Sequence, residues 1–419
     1  MQVDISEQRL VERVAALDIG KAEVVCCVRV PALGRGRAQE VRTFSSMTGG
    51  VLALAGWLSG LGVTRVVMEA TSDYWKPVFY VLEGVFEQTW LVNARDVKHL
   101  PGRPKTDRLD AVWLCRLAER DMLRPSFVPP LAIRTLRDLT RYRVDLVTAR
   151  TAEKQRVEKL LEDAQIKLSV VASDIFGVSG RMMMQALITG QRAPDALADL
   201  ARGRLRRKSD LLEQAFEGRF TEHHAYLLTT MLARIDALDR DIEALDKRIE
   251  EHVAPFAGAV ATINAIPGLG PTNTAAIIAE IGLDMTQFPT PAHLASWAKF
   301  APATKESAGK ARGRPTTGRG NRYLARALGE AAVMAGRGDS FLADRYRRIA
   351  RRRGKPRAIV AVGRSMLIII WHLLNDPDAA FVDLGADYYR GRIGHDRALR
   401  RHVRELQALG YQVTLTPAA

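Results

Sequence analysis

At 419 residues the chain is long enough for two or three domains with separate cores, and its 47% apolar content excludes a disordered protein. The net charge of +15 and pI of about 10.0 point to a polyanionic partner. Three cysteines, Cys26, Cys27 and Cys115, show neither zinc-ligand spacing nor a disulfide framework. They read as small buried apolar residues in a reducing, cytoplasmic compartment.

The first elements read as α/β. Met1 to Arg13 is charged and carries no apolar signal segment. Val14 to Ile19 predicts a strand, Gly20-Lys21 a turn, and Val24 to Val30 a second strand. Val41 to Ser45 reads as a third. Val51 to Leu61 has a helical apolar face with Trp57 and Leu58. Val63 to Ala70 reads as a buried strand, Tyr74 to Leu82 as a helix and Thr89 to Asn93 as a short strand. A basic loop with Arg95, Lys98, Arg103 and Lys105 precedes a helix from about Asp107 to Arg120. The Pro-rich run Pro125 to Pro130 marks a boundary, giving a first domain at 1–128.

Residues 129–256 read as helical. Ile235, Leu238, Ile242, Leu245 and Ile249 alternate at three and four residues, with charges on the other faces. An earlier helix, around Val144 to Leu168, suits an antiparallel coiled-coil arm, and an ordinary helical bundle fits the pattern equally. Within 257–375, Ile266-Pro267-Gly268-Leu269-Gly270-Pro271 resembles a helix-hairpin-helix turn, though Thr274 stands where a small apolar residue usually packs. Gly268 and Gly270 either present N–H groups to a phosphate or simply allow close packing. Ala358 to Leu374 is the most apolar stretch; Arg364, Ser365 and His372 interrupt it, so it reads as a core helix. His223-His224 reads as a helix surface.

Charge and acids carry the chemistry. Residues 301–357 hold 16 Lys or Arg against four acids. That density suits nucleic-acid phosphates better than a merely solvated face. A second knot is Arg202, Arg204, Arg206, Arg207 and Lys208. Asp18 and Glu69 each close an apolar strand. Asp107 and Asp110 stand three apart at a helix start, sharing one face. Such acids can converge on divalent ions for phosphodiester chemistry. Asp18-Ile19-Gly20 also resembles a sugar-kinase phosphate motif, but Lys21-Ala22 replaces the Gly-Gly-Thr continuation. Ser307 lies in a loop crowded with Gly, Lys and Arg, a possible covalent nucleophile.

Five blocks resemble the DEDD transposases of bacterial insertion sequences, described as bridge-RNA-guided serine recombinases. They are Leu17-Asp18-Ile19-Gly20-Lys21, Met68-Glu69-Ala70-Thr71, Lys105-Thr106-Asp107-Arg108-Leu109-Asp110-Ala111, the Pro-Gly-Leu-Gly turn, and Glu306-Ser307-Ala308-Gly309-Lys310 followed by Gly320-Asn321-Arg322-Tyr323-Leu324. The resemblance runs from about residue 13 to 375; residues 376–419 form an extension without a match. It implies an RNase H-like (RuvC-like) domain, a helical arm and a mainly α domain with a serine. By position, Asp18, Glu69, Asp107 and Asp110 inherit magnesium binding and Ser307 the attack on a DNA phosphate. Lys105, Lys305, Lys310, Arg312, Arg314, Arg319, Arg322, Arg347, Arg348, Arg351, Arg352 and Arg353 are expected at nucleic acid. DNA, a non-coding guide RNA and a homo-oligomer, a dimer or tetramer, are the implied partners. A water-using junction resolvase and a non-catalytic helix-hairpin-helix DNA binder remain as rival classes.

Overall fold

The computed structural model describes residues 10–32, 34–70, 72–93, 106–302, 306–307, 310–311, 317–318, 320–388 and 395–415; the side chains of 107, 306, 307, 310, 311 and 395–398 stand outside this description. The chain divides into two compact units, Met1–Val128 and Pro129–Ala419.

The first unit is a five-stranded mixed sheet with helices on both faces. β1 (Val14–Ile19), β2 (Glu23–Pro31) and β3 (Arg37–Ser45) form an antiparallel meander. After α1 (Thr48–Gly60) come β4 (Arg65–Glu69), α2 (Trp75–Leu82) and β5 (Gln88–Val92), and both later strands run parallel to β1. The order is β3-β2-β1-β4-β5. β1 is central and nearly all apolar because both its faces are covered. Ala15, Leu17 and Ile19 pack with Val66, Met68 and the α1–α2 side chains. Val14, Ala16 and Val67 face the opposite way, onto α3 (Asp107–Glu119) through Ala111, Leu114, Cys115 and Ala118. β3 sits at the edge, where Gln39, Glu40 and Arg42 remain exposed.

The second unit is helical. α4 (Leu131–Asp163) is 33 residues long. Short helices follow: α5 (Leu168–Val171), α6 (Val178–Ile188), α7 (Pro194–Ala198), a 3-10 turn (Gly203–Lys208) and α8 (Ser209–Phe216). α9 (Glu222–Val253) then returns along α4. The pairing is antiparallel: Arg143 bridges Asp246, Arg150 bridges Asp239, and Asp163 meets His224. Ile235, Ile242 and Ile249 are the buried members of the predicted stripe. The short helices fold into a separate core at the far end, with Leu168, Met183, Met184, Leu187, Leu197 and Leu212 fully buried. His224 departs from the expected helix surface. Its Nδ1 accepts from the Thr221 N–H at 3.1 Å, completing a capping box, and only 9% of the residue is exposed.

The chain continues through α10 (Ala257–Asn264), α11 (Pro271–Ile281), α12 (Pro291–Trp297), a two-residue ladder of β6 (Glu306–Ser307) with β7 (Lys310–Ala311), α13 (Arg322–Ala335), α14 (Phe341–Arg353) and α15 (Lys355–Asn375). α16 (His395–Ala408) follows. α15 is long and apolar enough to cross a membrane by length and composition alone. Here its Ala358, Val362, Met366, Leu367 and Ile370 are buried and it packs against α12, α13 and α14, as a core helix does.

Candidate active site and nucleic-acid surface

The parallel register of β1 and β4 brings two acids side by side. Leu17 lies opposite Met68, so Asp18 and Glu69 occupy the next position along both strands. Alternation puts Asp18 on the face of Val14 and Ala16, and Glu69 on the face of Val67. That is the α3 face.

α3 runs opposite to β1. Its Cys115 thiol donates to the Val14 carbonyl at 3.6 Å, and the Glu119 carbonyl accepts from the Val11 N–H at 2.8 Å. Glu119, 4% exposed, fastens this end by accepting from Arg29 Nε at 2.9 Å and Arg37 Nε at 2.6 Å. From Val14 to Asp18 the strand advances about 13 Å. From Cys115 back to Asp107 the helix advances about 12 Å, and to Asp110 about 8 Å. The start of α3 therefore comes level with the ends of β1 and β4. Thr106 caps it, its hydroxyl accepting from the Leu109 N–H at 3.3 Å. Asp18, Glu69 and Asp110 are each half-buried. Among the described residues no three His, Cys, Asp or Glu side chains already form a metal-sized group; the Asp107 side chain lies outside that set. The donors themselves suit a hard divalent cation: all are carboxylates, delivered by three elements to one end of the sheet.

Three thiols lie beneath this arrangement, all free and buried. Burial and then the neighbouring Cys27 push the Cys26 thiol well up. Its bond to Cys27 and its burial raise Cys115, and the same bond lowers Cys27. They act as small packing residues.

In the second unit the backbone at Ser307 is a strand rather than the expected loop: Ser307 pairs with Lys310 and Glu306 with Ala311. The side chains of Ser307 and Lys310, and residues Lys305, Arg312, Arg314 and Arg319, lie outside the described set, as does the loop with Lys105.

Downstream, the chain is anchored by Asn321, part of a block quoted above, and by Glu280, which the sequence did not single out. Asn321 caps α13, its Oδ1 accepting from the N–H groups of Tyr323 and Leu324. Its Nδ2 donates to Glu280 Oε2 at 2.5 Å. Glu280, 1% exposed, also receives Arg141 in a two-pronged pair, both bonds 2.8 Å, while Arg137 donates to the Ala279 and Glu280 carbonyls at 2.8 Å. Burial opposes the Arg141 charge, but the hydrogen bond and charge of Glu280 outweigh it and raise the guanidinium above its ordinary value. One buried carboxylate thus joins α4, α11 and the start of α13. The readable signal was an acid inside the apolar run Ala275 to Ile281.

The glycine turn has a packing explanation at Gly268. Its φ is +91°, and a Cβ there would lie 2.3 Å from the Ala331 oxygen and 2.6 Å from the Ala335 nitrogen on α13. Gly270 has open space instead. Thr274 is fully buried and donates to Asn264 Oδ1, so the unexpected hydroxyl is satisfied by the preceding helix.

The expected basic residues are distributed unevenly. Arg322 donates to the Tyr323 hydroxyl and lies 3.5 Å from Asp145. Arg347 donates to the Gly338 carbonyl at 2.8 Å and lies 3.6 Å from Asp339. Arg348 is half-buried, whereas Arg351, Arg352 and Arg353 are exposed on the last turn of α14, which Gly354 ends with φ +85°.

Comparison with known proteins decides the identity. A DEDD, IS110-type transposase family matches residues 15–166, and the transposase IS116/IS110/IS902 family matches residues 260–347. The chain belongs to the IS110 family of transposases. The insertion element IS900 42 kDa protein of Mycobacterium paratuberculosis is 27% identical over 86% of this chain and 95% of its own length. The insertion element IS110 43.6 kDa protein of Streptomyces coelicolor is 33% identical over 36% and 35%. The insertion element IS116 44.8 kDa protein of Streptomyces clavuligerus is 26% identical over 68% and 78%. The protein is a DNA transposase, an enzyme of an insertion sequence. The matched segments contain Asp18, Glu69, Asp107 and Asp110 on one side and Ser307 on the other.

Proposed function

We propose that this transposase cuts DNA by covalent serine catalysis, with the acids of an RNase H-like first domain serving the reaction. The observation that carries the reading is the shared end of β1, β4 and α3, where four acid positions gather. Asp18, Glu69, Asp107 and Asp110 would hold magnesium. The ion, when bound, neutralises charge on the scissile phosphate and on the leaving oxygen. The Ser307 oxygen attacks phosphorus and loses its proton; the bond from phosphorus to the 3′ oxygen breaks, and that oxygen leaves as a free hydroxyl. Lys305, Lys310, Arg312 and Arg314 offset the phosphate charge, and Ala308-Gly309 leave room for the backbone. Strand exchange reverses the step with a new 3′ hydroxyl.

In this reading residues 1–128 are the metal-binding domain, 129–256 the helical, coiled-coil arm, 257–375 the serine domain and 376–419 an extension. Acids from one protomer serve the serine of another, so the working form is a homo-oligomer. It acts in the cytoplasm on sites chosen by a non-coding guide RNA, which follows from the family resemblance. Denaturing electrophoresis of a cleavage reaction tests the chemistry. Wild-type protein should remain bound to a DNA end, Ser307→Ala should lose both adduct and recombination, and mass spectrometry should find the nucleotide remnant on Ser307. Cleavage by Ser307→Ala at the wild-type rate would instead support a water-using resolvase, and a remnant on Thr304, Thr316 or Thr317 would move the nucleophile.

A further inference from the structure

The geometry points to a second nucleic-acid surface at the far end of the α4–α9 hairpin, where Arg202, Arg204, Arg206, Arg207 and Lys208 grip the sugar–phosphate backbone of duplex DNA. This goes beyond the serine and acid chemistry and beyond the basic α14. It also lies between the two family matches, which end at residue 166 and resume at 260.

The four arginines are exposed on or beside one 3-10 turn. Among the described residues none of them forms an ion pair. Several other cations of the hairpin are paired or held. Arg143, Arg150 and Arg181 reach across to Asp246, Asp239 and Asp236, and Lys167 pairs with Glu162. Arg192 is held by the carbonyls of Leu187 and Phe220. Five cations in seven residues repel one another, and a phosphate backbone is the polyanion that a DNA transposase meets.

The turn is a fixed base. Ala201 and Leu212 are buried on either side of it. The Arg202 N–H donates to Ser179 Oγ at 2.9 Å, and Lys208 Nζ donates to the Val171 carbonyl at 2.8 Å. Beneath lies a cleft of about 450 Å³ lined by Arg202, Arg204, Lys208, Ser173, Ser179 and Asp174. Asp174, its one acid, is turned to the Phe176 N–H at 2.9 Å. Guanidinium forks on a rigid turn suit two-pronged phosphate contacts, which position nucleic acid without reading its sequence.

The test uses the full chain carrying Ser307→Ala, so that binding is read without cleavage and independently of the nucleophile. Affinity for a mixed-sequence duplex DNA and for a stem-loop RNA is measured by fluorescence anisotropy across a salt series. Combining Arg204→Ala, Arg206→Ala and Arg207→Ala should flatten the slope of log K against log salt by roughly 2–3 units on the duplex, since each phosphate contact contributes about 0.7–0.9. Replacing the same three by Lys should keep the slope. An effect on the RNA probe alone would overturn duplex DNA as the ligand. If the triple variant folds poorly, Arg206→Ala alone should flatten the slope by about 0.7–0.9. Unchanged slopes on both probes, or an equal loss with the Lys variant, would overturn the proposal.

Discussion

Asn321 and Glu280 share a hydrogen bond of 2.5 Å, and through it the cap of α13 is tied to a carboxylate that α4 already holds by Arg141. The same amide thus ends the segment that follows Ser307 and joins it to the foot of the hairpin. Its two functions, capping by Oδ1 and donating by Nδ2, can be separated by substitution.

Glu280→Gln should destabilise the protein by about 2–3 kcal/mol, below the ~3–5 of a fully buried broken pair because Arg141 is 34% exposed. Asn321→Asp keeps a capping oxygen but sets two carboxylates against each other. The double variant reverses the polarity of the bond: the new amide at 280 donates to the new carboxylate at 321. Urea unfolding should give a coupling energy above about 1 kcal/mol. Additive single effects would show that the bond contributes nothing.

Gly268→Ala should cost roughly 2–4 kcal/mol, since the residue combines positive φ with a 2.3 Å approach to the Ala331 oxygen. Gly270→Ala should cost less than about 1 kcal/mol, because that Cβ meets nothing and only a cap preference is lost. Thermal unfolding of the two variants checks the contrast. Equal effects would refute the packing explanation of the turn.

Asp110→Asn removes one acid from the α3 start while leaving the Thr106 cap in place. The expected outcome is loss of strand cleavage in magnesium, with duplex binding within about twofold and a stability change under about 1 kcal/mol. Recombination at near wild-type rate would exclude Asp110 from the site.

Arg351, Arg352 and Arg353 stand exposed at the end of α14. Changing all three to Ala should flatten the salt slope of DNA binding by roughly 2–3 units. An unchanged slope would assign them to solvent.

The parts legible in the sequence were those where one physical signal dominated. β1 was readable to the residue because a doubly covered strand is an apolar run between polar neighbours, interrupted here only by Asp18. α3 was readable from Asp107 and Asp110, acids set three apart in its first turn. β3 begins at Arg37, before the expected Val41, because an edge strand tolerates polar residues on its open side. α4 begins at Leu131, as the helical reading of that stretch expects, but it runs on unbroken into the pairing segment expected at Val144; its first turns are held by tertiary contact, Arg137 and Arg141 on α11, rather than by an apolar stripe. The convergence of Asp18, Glu69 and the α3 start depends on strand register and helix direction, which no local spacing encodes. His224 and Glu280 share that limitation: their partners Asp163 and Asn321 lie 61 and 41 residues away.

The α4–α9 hairpin is cross-braced by Arg143–Asp246 and Arg150–Asp239, and its foot is clamped at Glu280. From Arg141 to Asp163 it reaches about 33 Å. Mechanically it is a stiff lever with a charged tip. A rocking of about 10° at the clamp would sweep that tip through about 6 Å. Anything seated on the tip therefore reports, as leverage, on small rotations at the foot beside α13.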